Sequence, residues 1–419
     1  AIHGALNMIY RYGITEDETY AQKVYPYLRG VADFWEKDLV CRDGVYHVVG
    51  DGMHERTDGN IRDNGVPENP VNTLGYLKTF FTWMPRISEA LDLDEKKREK
   101  WLEIAENLAP YPKGTIREIQ ENPTLWKEVD VKLEDLLPEE MLDKEIYYDE
   151  GIGGKWSFHF PGNVMQIYPG NAIGLGSAPE ELEVARNTVQ IHALVENALG
   201  ELEYRKALEE AEFADKDNAN NLLFNSNGEL ENGEAYSNGM ESGGVKNPHF
   251  YKAGAFNASN LSCLFFTAAV RVGYDPKIIW KEMRDMILNR GIPNGFLKEN
   301  PHGIEQLNTI PDAIQEMMLQ SCEGIIRIFP VWPRAEHPNA SFRNFRAWGG
   351  FEVSAVLKDG EVEKVTILSH KGHPCRVENP WPGKSVKVSY EYGRPEEVHF
   401  GEYLNIELYK EEHAELFRI

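Results

Sequence analysis

The feature that most constrains this chain is an alternation of amphipathic helical stretches with long irregular ones, running from Ala1 to about Cys322. Apolar residues recur at helical spacing over Ile2–Arg11, with Gly13 as the expected stop. They recur again over Asp17–Leu39, where Tyr20, Val24, Tyr27, Leu28, Val31 and Phe34 form the expected apolar side and Pro26 an expected kink. Asn72–Leu91 and Lys96–Leu108 follow, and Pro179, with Glu180 and Glu181 behind it, opens a helix to about Leu199. Asn257–Val272, Pro276–Asn289 and Pro311–Glu323 complete the set. The intervening stretches, 50–71, 111–175, 215–254 and 291–310, are rich in Gly, Asn, Pro and aromatics. Irregular stretches of that length inside a compact domain are uncommon and often functional. Helix pairs alternating with long loops fit an α/α toroid, whose loops converge over one mouth. About ten helices can be read where a six-hairpin toroid needs about twelve, and the chain opens inside a helix. The expectation is a mainly α fold, an (α/α)6 toroid incomplete at its N-terminus, with the missing helices upstream of Ala1.

After Pro333 the texture changes. Phe351–Leu357 and Val362–Leu368 alternate apolar and polar residues on either side of Asp359-Gly360, a strong hairpin signal. Ser385–Tyr392 and Tyr403–Tyr409 read as further strands. The chain therefore divides into a helical domain, 1–333, and a small C-terminal antiparallel β domain, 334–419.

Charge narrows the partners. A formal net charge of -24 over 419 residues leaves no basic footprint for nucleic acid. A neutral glycan would not be repelled. No apolar run approaches the roughly 20 residues of a membrane-spanning helix. The four cysteines (Cys41, Cys263, Cys322 and Cys375) are scattered, without CxxC spacing, so neither a zinc site nor a disulfide framework is indicated. Cys263 and Cys322 lie in apolar helical runs as expected buried thiols, which leans towards a reducing, cytoplasmic compartment. The Asn/Gly-rich run from Asp215 to Gly244 has Ala219 where a calcium loop needs a ligand and no closing Glu, so no metal is expected there.

Two windows combine acidic residues with Gly, Pro and polar neighbours, the setting in which paired carboxyl groups can work on a glycosidic bond. The first is Asp51-Gly52-Met53-His54-Glu55-Arg56-Thr57-Asp58-Gly59-Asn60, before the Asn72 helix. The second is Asn300-Pro301-His302-Gly303-Ile304-Glu305-Gln306-Leu307-Asn308, before the Pro311 helix, where nearby amide donors can hold an acid ionised. Trp156, Phe158, His159 and Phe160 crowd one irregular stretch, and His249, Phe250 and Tyr251 another. Flat rings of this kind stack on sugar C–H faces, although most aromatics are core.

At these residues the chain resembles glycoside hydrolase family 95, the inverting α-L-fucosidases and α-L-galactosidases. Ala313-Ile314-Gln315-Glu316-Met317-Met318-Leu319-Gln320-Ser321, Phe329-Pro330-Val331-Trp332-Pro333 and Arg346-Ala347-Trp348-Gly349-Gly350-Phe351-Glu352-Val353 follow in the family's order. Gly372-His373-Pro374-Cys375-Arg376-Val377 resembles its tail hairpin, and Tyr168-Pro169-Gly170-Asn171-Ala172-Ile173 with Ala185-Arg186-Asn187-Thr188 an upstream segment. The resemblance implies that Glu305 takes the place of the family's catalytic Asp and Glu55 that of its general acid. Phe158, His159, Phe160 and Asn163 stand where the family carries a sugar-gripping His-Arg-His pattern, so the grip differs. The family's Asn pair, which positions the attacking water, belongs upstream of Ala1.

The resulting expectation is an inverting glycoside hydrolase without a cofactor, acting on an oligosaccharide or polysaccharide that includes α-L-fucoside-like sugars. Its catalytic residues are Glu55 and Glu305, with His54, Trp156, His159, Asn163, His302 and Asn308 against the sugar. Its partners are the carbohydrate and either the missing N-terminal segment or another copy of the chain, with neither nucleic acid nor membrane. The rival readings are a phosphorylase or lyase on the same toroid, since fold does not fix function, and a non-catalytic glycan-binding protein.

Overall fold

The computed structural model describes residues 1–51, 68–122, 132–148, 161–213, 262–290, 293 and 309–419. Helix α1 spans Ile2–Thr15 and α2 spans Glu18–Asp38, the latter capped by Asp17, whose carboxylate accepts from the Tyr20 amide at 3.1 Å. A short hairpin, β1 (Val40–Arg42) and β2 (Val45–His47), precedes α3 (Val71–Ala90) and α4 (Glu95–Glu106). Next come β3 (Lys113–Thr115), α5 (Ile116–Glu121), α6 (Leu133–Leu136) and β4 (Glu145–Tyr147), then the long α7, Pro179–Phe213. Helices α8 (Ser262–Arg271), α9 (Pro276–Arg290) and α10 (Thr309–Met318) end the helical part.

Two pairs of helices run parallel, as the spacing of their contacts shows. In α1 and α3, His3 stacks on Tyr76 with ring centroids 5.7 Å apart, while Tyr10 and Trp83 both meet Trp348. In α8 and α10, Thr267 bonds Asp312 and Arg271 bonds Glu316, a constant offset of 45 residues. Helix α4 returns antiparallel on α3, with Lys78 donating to the Ala105 carbonyl, and Arg98 reaching Ser88 near the turn.

The helices differ from the sequence reading in instructive ways. Helix α1 runs through Gly13 and stops only at Glu16, which adopts left-handed backbone at φ 47°. A Cβ on Gly13 would lie 2.5 Å from the Trp348 ring, so this glycine serves a close approach and not a helix stop. The buried face of α2 carries Ala21, Tyr25, Leu28, Val31, Ala32 and Trp35, whereas Tyr27 and Phe34 are 42% and 54% exposed. The core side thus combines two alanines with Tyr25, Leu28, Val31 and Trp35, and two of the expected aromatics face out. Helix α10 ends at Met318 instead of near Glu323, because β5 (Leu319–Gln320) pairs with β6 (Arg327–Ile328).

The C-terminal part is a six-stranded antiparallel sheet. In chain order its region contains β7 (Ala340–Ala347), β8 (Phe351–Lys358), β9 (Glu361–Ser369), β10 (Cys375–Glu378), β11 (Val386–Tyr390), β12 (Glu397–His399), β13 (Tyr403–Ile406) and β14 (Glu412–Arg418). The sheet order is β12-β11-β14-β9-β8-β7, with β10 and β13 forming a separate pair. The expected Asp359-Gly360 hairpin is present, both residues at positive φ (51° and 81°), the backbone that a tight two-residue turn needs. Along β8, Phe351, Val353, Ala355 and Leu357 turn inward while the intervening residues stay outward. One apolar cluster joins this face to helical residues such as Val189, Phe266, Ala269 and Met317, so helices and sheet share a core across residue 333.

Candidate functional site

Three expected site windows enter the described structure at fixed points. The window holding His54 and Glu55 lies outside the described residues, but its two ends are joined: Val49 and Glu68 form an antiparallel bridge. Asn69, at φ 53°, reinforces the junction by accepting from the Val48 amide at 3.1 Å and contacting His47 at 3.2 Å. Arg42 grips Glu68 with two parallel bonds of 2.9 and 3.0 Å, and that pairing holds the Glu68 carboxyl below its usual range. Asp51, the last described residue before the window, accepts from the Thr73 hydroxyl at 2.6 Å in the first turn of α3.

The window holding His302, Glu305 and Asn308 also lies outside the described residues and leads directly into α10. Asp312, in the first turn of α10, accepts from Thr267 at 3.0 Å and is hydrogen-bonded to the Tyr168 phenol. Burial, and then the Asp312 carboxylate, push that phenol well above its ordinary pKa and keep it protonated. Trp156 and His159 lie outside the described residues as well. Asn163, the one expected sugar contact that is described, is only 4% exposed. Its amide nitrogen donates to the Tyr147 carbonyl at 3.2 Å, and its Oδ1 has no partner among the described residues.

Segment 161–175 ties these ends together. A Cβ on Gly75 of α3 would fall 2.5 Å from the Gln166 Cβ, so the segment lies directly on α3. Thr79 donates to the Gly170 carbonyl from the same helix. On its other side the Tyr168 ring takes the Arg271 guanidinium at 5.1 Å. Arg271, 5% exposed, is bonded to Glu316 at 2.7 and 3.2 Å, while its Nη1 finds no partner among the described residues. Tyr10 and Tyr76, raised in pKa chiefly by burial, complete a polar cluster enclosed by α1, α3, α8 and α10. The sequence reading missed this cluster; its signal was a charged residue, Glu316, set among the apolar positions of the Ala313–Met318 helix.

At the opposite, C-terminal ends of α1 and α3 a separate pocket of about 470 Å³ opens beside the sheet. Trp83 and Trp348 face each other there with centroids 4.9 Å apart at 58°. Sequence reasoning missed this site too. Among the described residues no group of His, Cys, Asp and Glu is arranged to hold a metal, and no helix is long and apolar enough to cross a membrane.

No protein-family model matches the chain, and no curated protein does. Among solved structures it is similar to a GH127 β-L-arabinofuranosidase from Geobacillus stearothermophilus T6, at 9% identity and a TM-score of 0.21. The match covers 87% of this chain and 63% of that one, so the chain spans less than two thirds of that neighbour. A likeness this weak assigns no residue a role.

Proposed function

We propose that this chain is the helical toroid and β domain of an inverting glycoside hydrolase, with Glu55 as general acid and Glu305 as general base. One observation carries the reading: the ends of the three windows that hold the expected site residues belong to one packed unit. The Glu55 window ends on the first turn of α3, the Glu305 window ends on α10, and segment 161–170, which follows Trp156 and His159, packs against both helices. On this reading the separate windows serve one mouth, at the N-terminal ends of α3 and α10, where backbone amides favour anionic groups. An inverting enzyme needs two carboxyl groups about 6.5–9.5 Å apart, one to protonate the leaving oxygen and one to activate water from the other face.

The test is hydrolysis of a panel of nitrophenyl glycosides, α-L-fucoside included, with the product anomer followed by proton NMR. Glu305→Gln keeps the side-chain shape and removes the base, so turnover should fall about 10²–10⁴-fold while sugar binding survives. Glu55→Gln should lose least on nitrophenyl substrates, whose leaving group needs little protonation. A product of retained configuration would overturn the inverting assignment. Saturable sugar binding with no turnover on any glycoside would identify a glycan-binding protein instead.

A further inference from the structure

The pocket at the C-terminal ends of α1 and α3 lies at the opposite end of α3 from the proposed mouth. Glu16 comes from the end of α1, Trp83 and Arg86 from the last turns of α3, Asn171 from segment 161–175, Glu323 from the β5–β6 turn, and Trp348 from the end of β7. Its volume of about 470 Å³ falls within the range of small-ligand pockets.

Three features describe what it would hold. The two indoles are partly exposed and inclined at 58°, so they present aromatic surface to the pocket without a parallel stack. Trp348 is fixed in place by Tyr10 at 5.5 Å and by the surface of Gly13, and its amide donates to Ser321. Second, polar capacity stands unused. Asn171, at φ 55°, has a buried Oδ1 with no partner among the described residues, and Arg86 lies over the Trp83 ring at 4.9 Å with no hydrogen bond among them. Buried polar atoms are nearly always bonded, and an exception calls for a water or a ligand. Third, the charges are mostly engaged. The acids Glu16 and Glu323 are engaged by His373 and Arg327, Lys78 is spent on the Ala105 carbonyl, and Arg86 lies over the Trp83 ring. A cationic ligand would find no free carboxylate, and an anionic one only the Arg86 guanidinium. A neutral molecule with apolar C–H faces and many hydroxyls needs no free charge.

We infer that this pocket is a second saccharide-binding site, for a neutral sugar unit, remote from the proposed catalytic mouth. It does not depend on the proposed activity: it can bind sugar in a chain that hydrolyses nothing.

The experiment titrates the full chain with methyl α-L-fucoside, methyl β-D-glucoside and short linear gluco- and xylo-oligosaccharides. Glucuronate and inorganic phosphate serve as charged controls, and binding is followed by tryptophan emission and calorimetry. At least one neutral saccharide should bind saturably with a change in emission. Trp83→Ala should weaken that binding about tenfold, as expected for loss of a stacking ring. Arg86→Ala, at an exposed position that tolerates truncation, should weaken it several-fold with an unchanged melting curve. The double variant Glu55→Gln, Glu305→Gln should bind like the parent at this site, which separates it from the mouth. The inference is overturned if no neutral saccharide changes the emission, if Arg86→Ala binds as tightly as the parent, or if phosphate or glucuronate binds more tightly than every neutral sugar.

Discussion

Replacing Glu316 by Gln tests how the parallel helices α8 and α10 are held. Arg271 is 5% exposed and spends two of its nitrogens on Glu316, at 2.7 and 3.2 Å, while the Glu316 side chain is 18% exposed. The substitution keeps the shape and one acceptor but leaves the guanidinium without a counter-charge. No spare acceptor is at hand, because Arg271 Nη1 already lacks a partner among the described residues. Removing one partner of a buried pair costs about 3–5 kcal/mol, and the partial exposure of Glu316 argues for the lower end. At roughly 2.1 cal/mol/K per residue, unfolding 419 residues carries an entropy of about 0.9 kcal/mol/K, so about 3 kcal/mol lowers the melting temperature by roughly 3–4 °C. Differential scanning fluorimetry measures it. The double variant Arg271→Met, Glu316→Leu removes both charges and should recover most of that loss, short of the contact between Arg271 and the Tyr168 ring. A Glu316→Gln protein melting within about 1 °C of the parent, or a double variant as unstable as the single one, would refute the reasoning.

Burial, and then the Asp94 carboxylate that its hydroxyl bonds at 2.8 Å, push Tyr25 up to about 12, and burial does the same for Tyr12. Both phenols favour the neutral form when folded, so their stabilisation is intact below the unfolded value near 10 and is lost as pH rises from about 10 to about 12. Tyr25→Phe should flatten the fall in melting temperature over that window, and curves that stay parallel to the parent would count against it. Alkylation at neutral pH, read by peptide mass spectrometry, should modify exposed Cys41 first. Burial raises the Cys375 thiol well above its ordinary range, so it should react only slowly until unfolding. Cys322, half-buried on the pocket wall with its thiol pushed up to about 11, should fall between the two. Cys375 labelled as fast as Cys41 would contradict that packing. Gly360→Ala should cost about 1–2 kcal/mol from left-handed backbone alone, since its Cβ would meet nothing closer than the Arg334 carbonyl at 3.8 Å. Gly30→Ala, in the middle of α2 with open space around it, should stabilise by about 0.5–1 kcal/mol. Melting temperatures of the two variants should therefore move in opposite directions.

The parts of this fold legible in the sequence are those set by local chemistry. Helices α3, α4 and α9 begin and end within about two residues of the periodic pattern. The β8–β9 hairpin follows from Asp359-Gly360, because a two-residue turn demands positive φ there. Strand β7 was not read, and its sequence shows why. Its pairing with β8 slips between Phe342 and Phe345, with Asn344 at φ 57°, so its inward and outward residues do not alternate cleanly. Gly13 misled in the opposite way. A glycine near a helix end reads as a stop, yet what selected it was an indole more than three hundred residues later in the chain.

The same distinction governs the two candidate sites. Carboxylates in Gly- and Pro-rich windows can be picked out one stretch at a time; the resemblance singled out Glu55 and Glu305 within them, and both lie outside the described residues. The Trp83–Trp348 cleft could not be found so, because each tryptophan alone reads as core. Only α1, running past Gly13 to pack under Trp348, brings the β7 turn against the end of α3. The Gly349 amide donates to the Gly13 carbonyl at 2.8 Å, which ties the β7–β8 turn to α1 at the point where the pocket opens. A pocket between helices and sheet is therefore a product of the shared core. A change that loosens α1 against that turn, such as Gly13→Ala, should widen the cleft and weaken sugar binding there more than it affects turnover at the far ends of the helices. Equal losses in both would mean that the two sites are not separate.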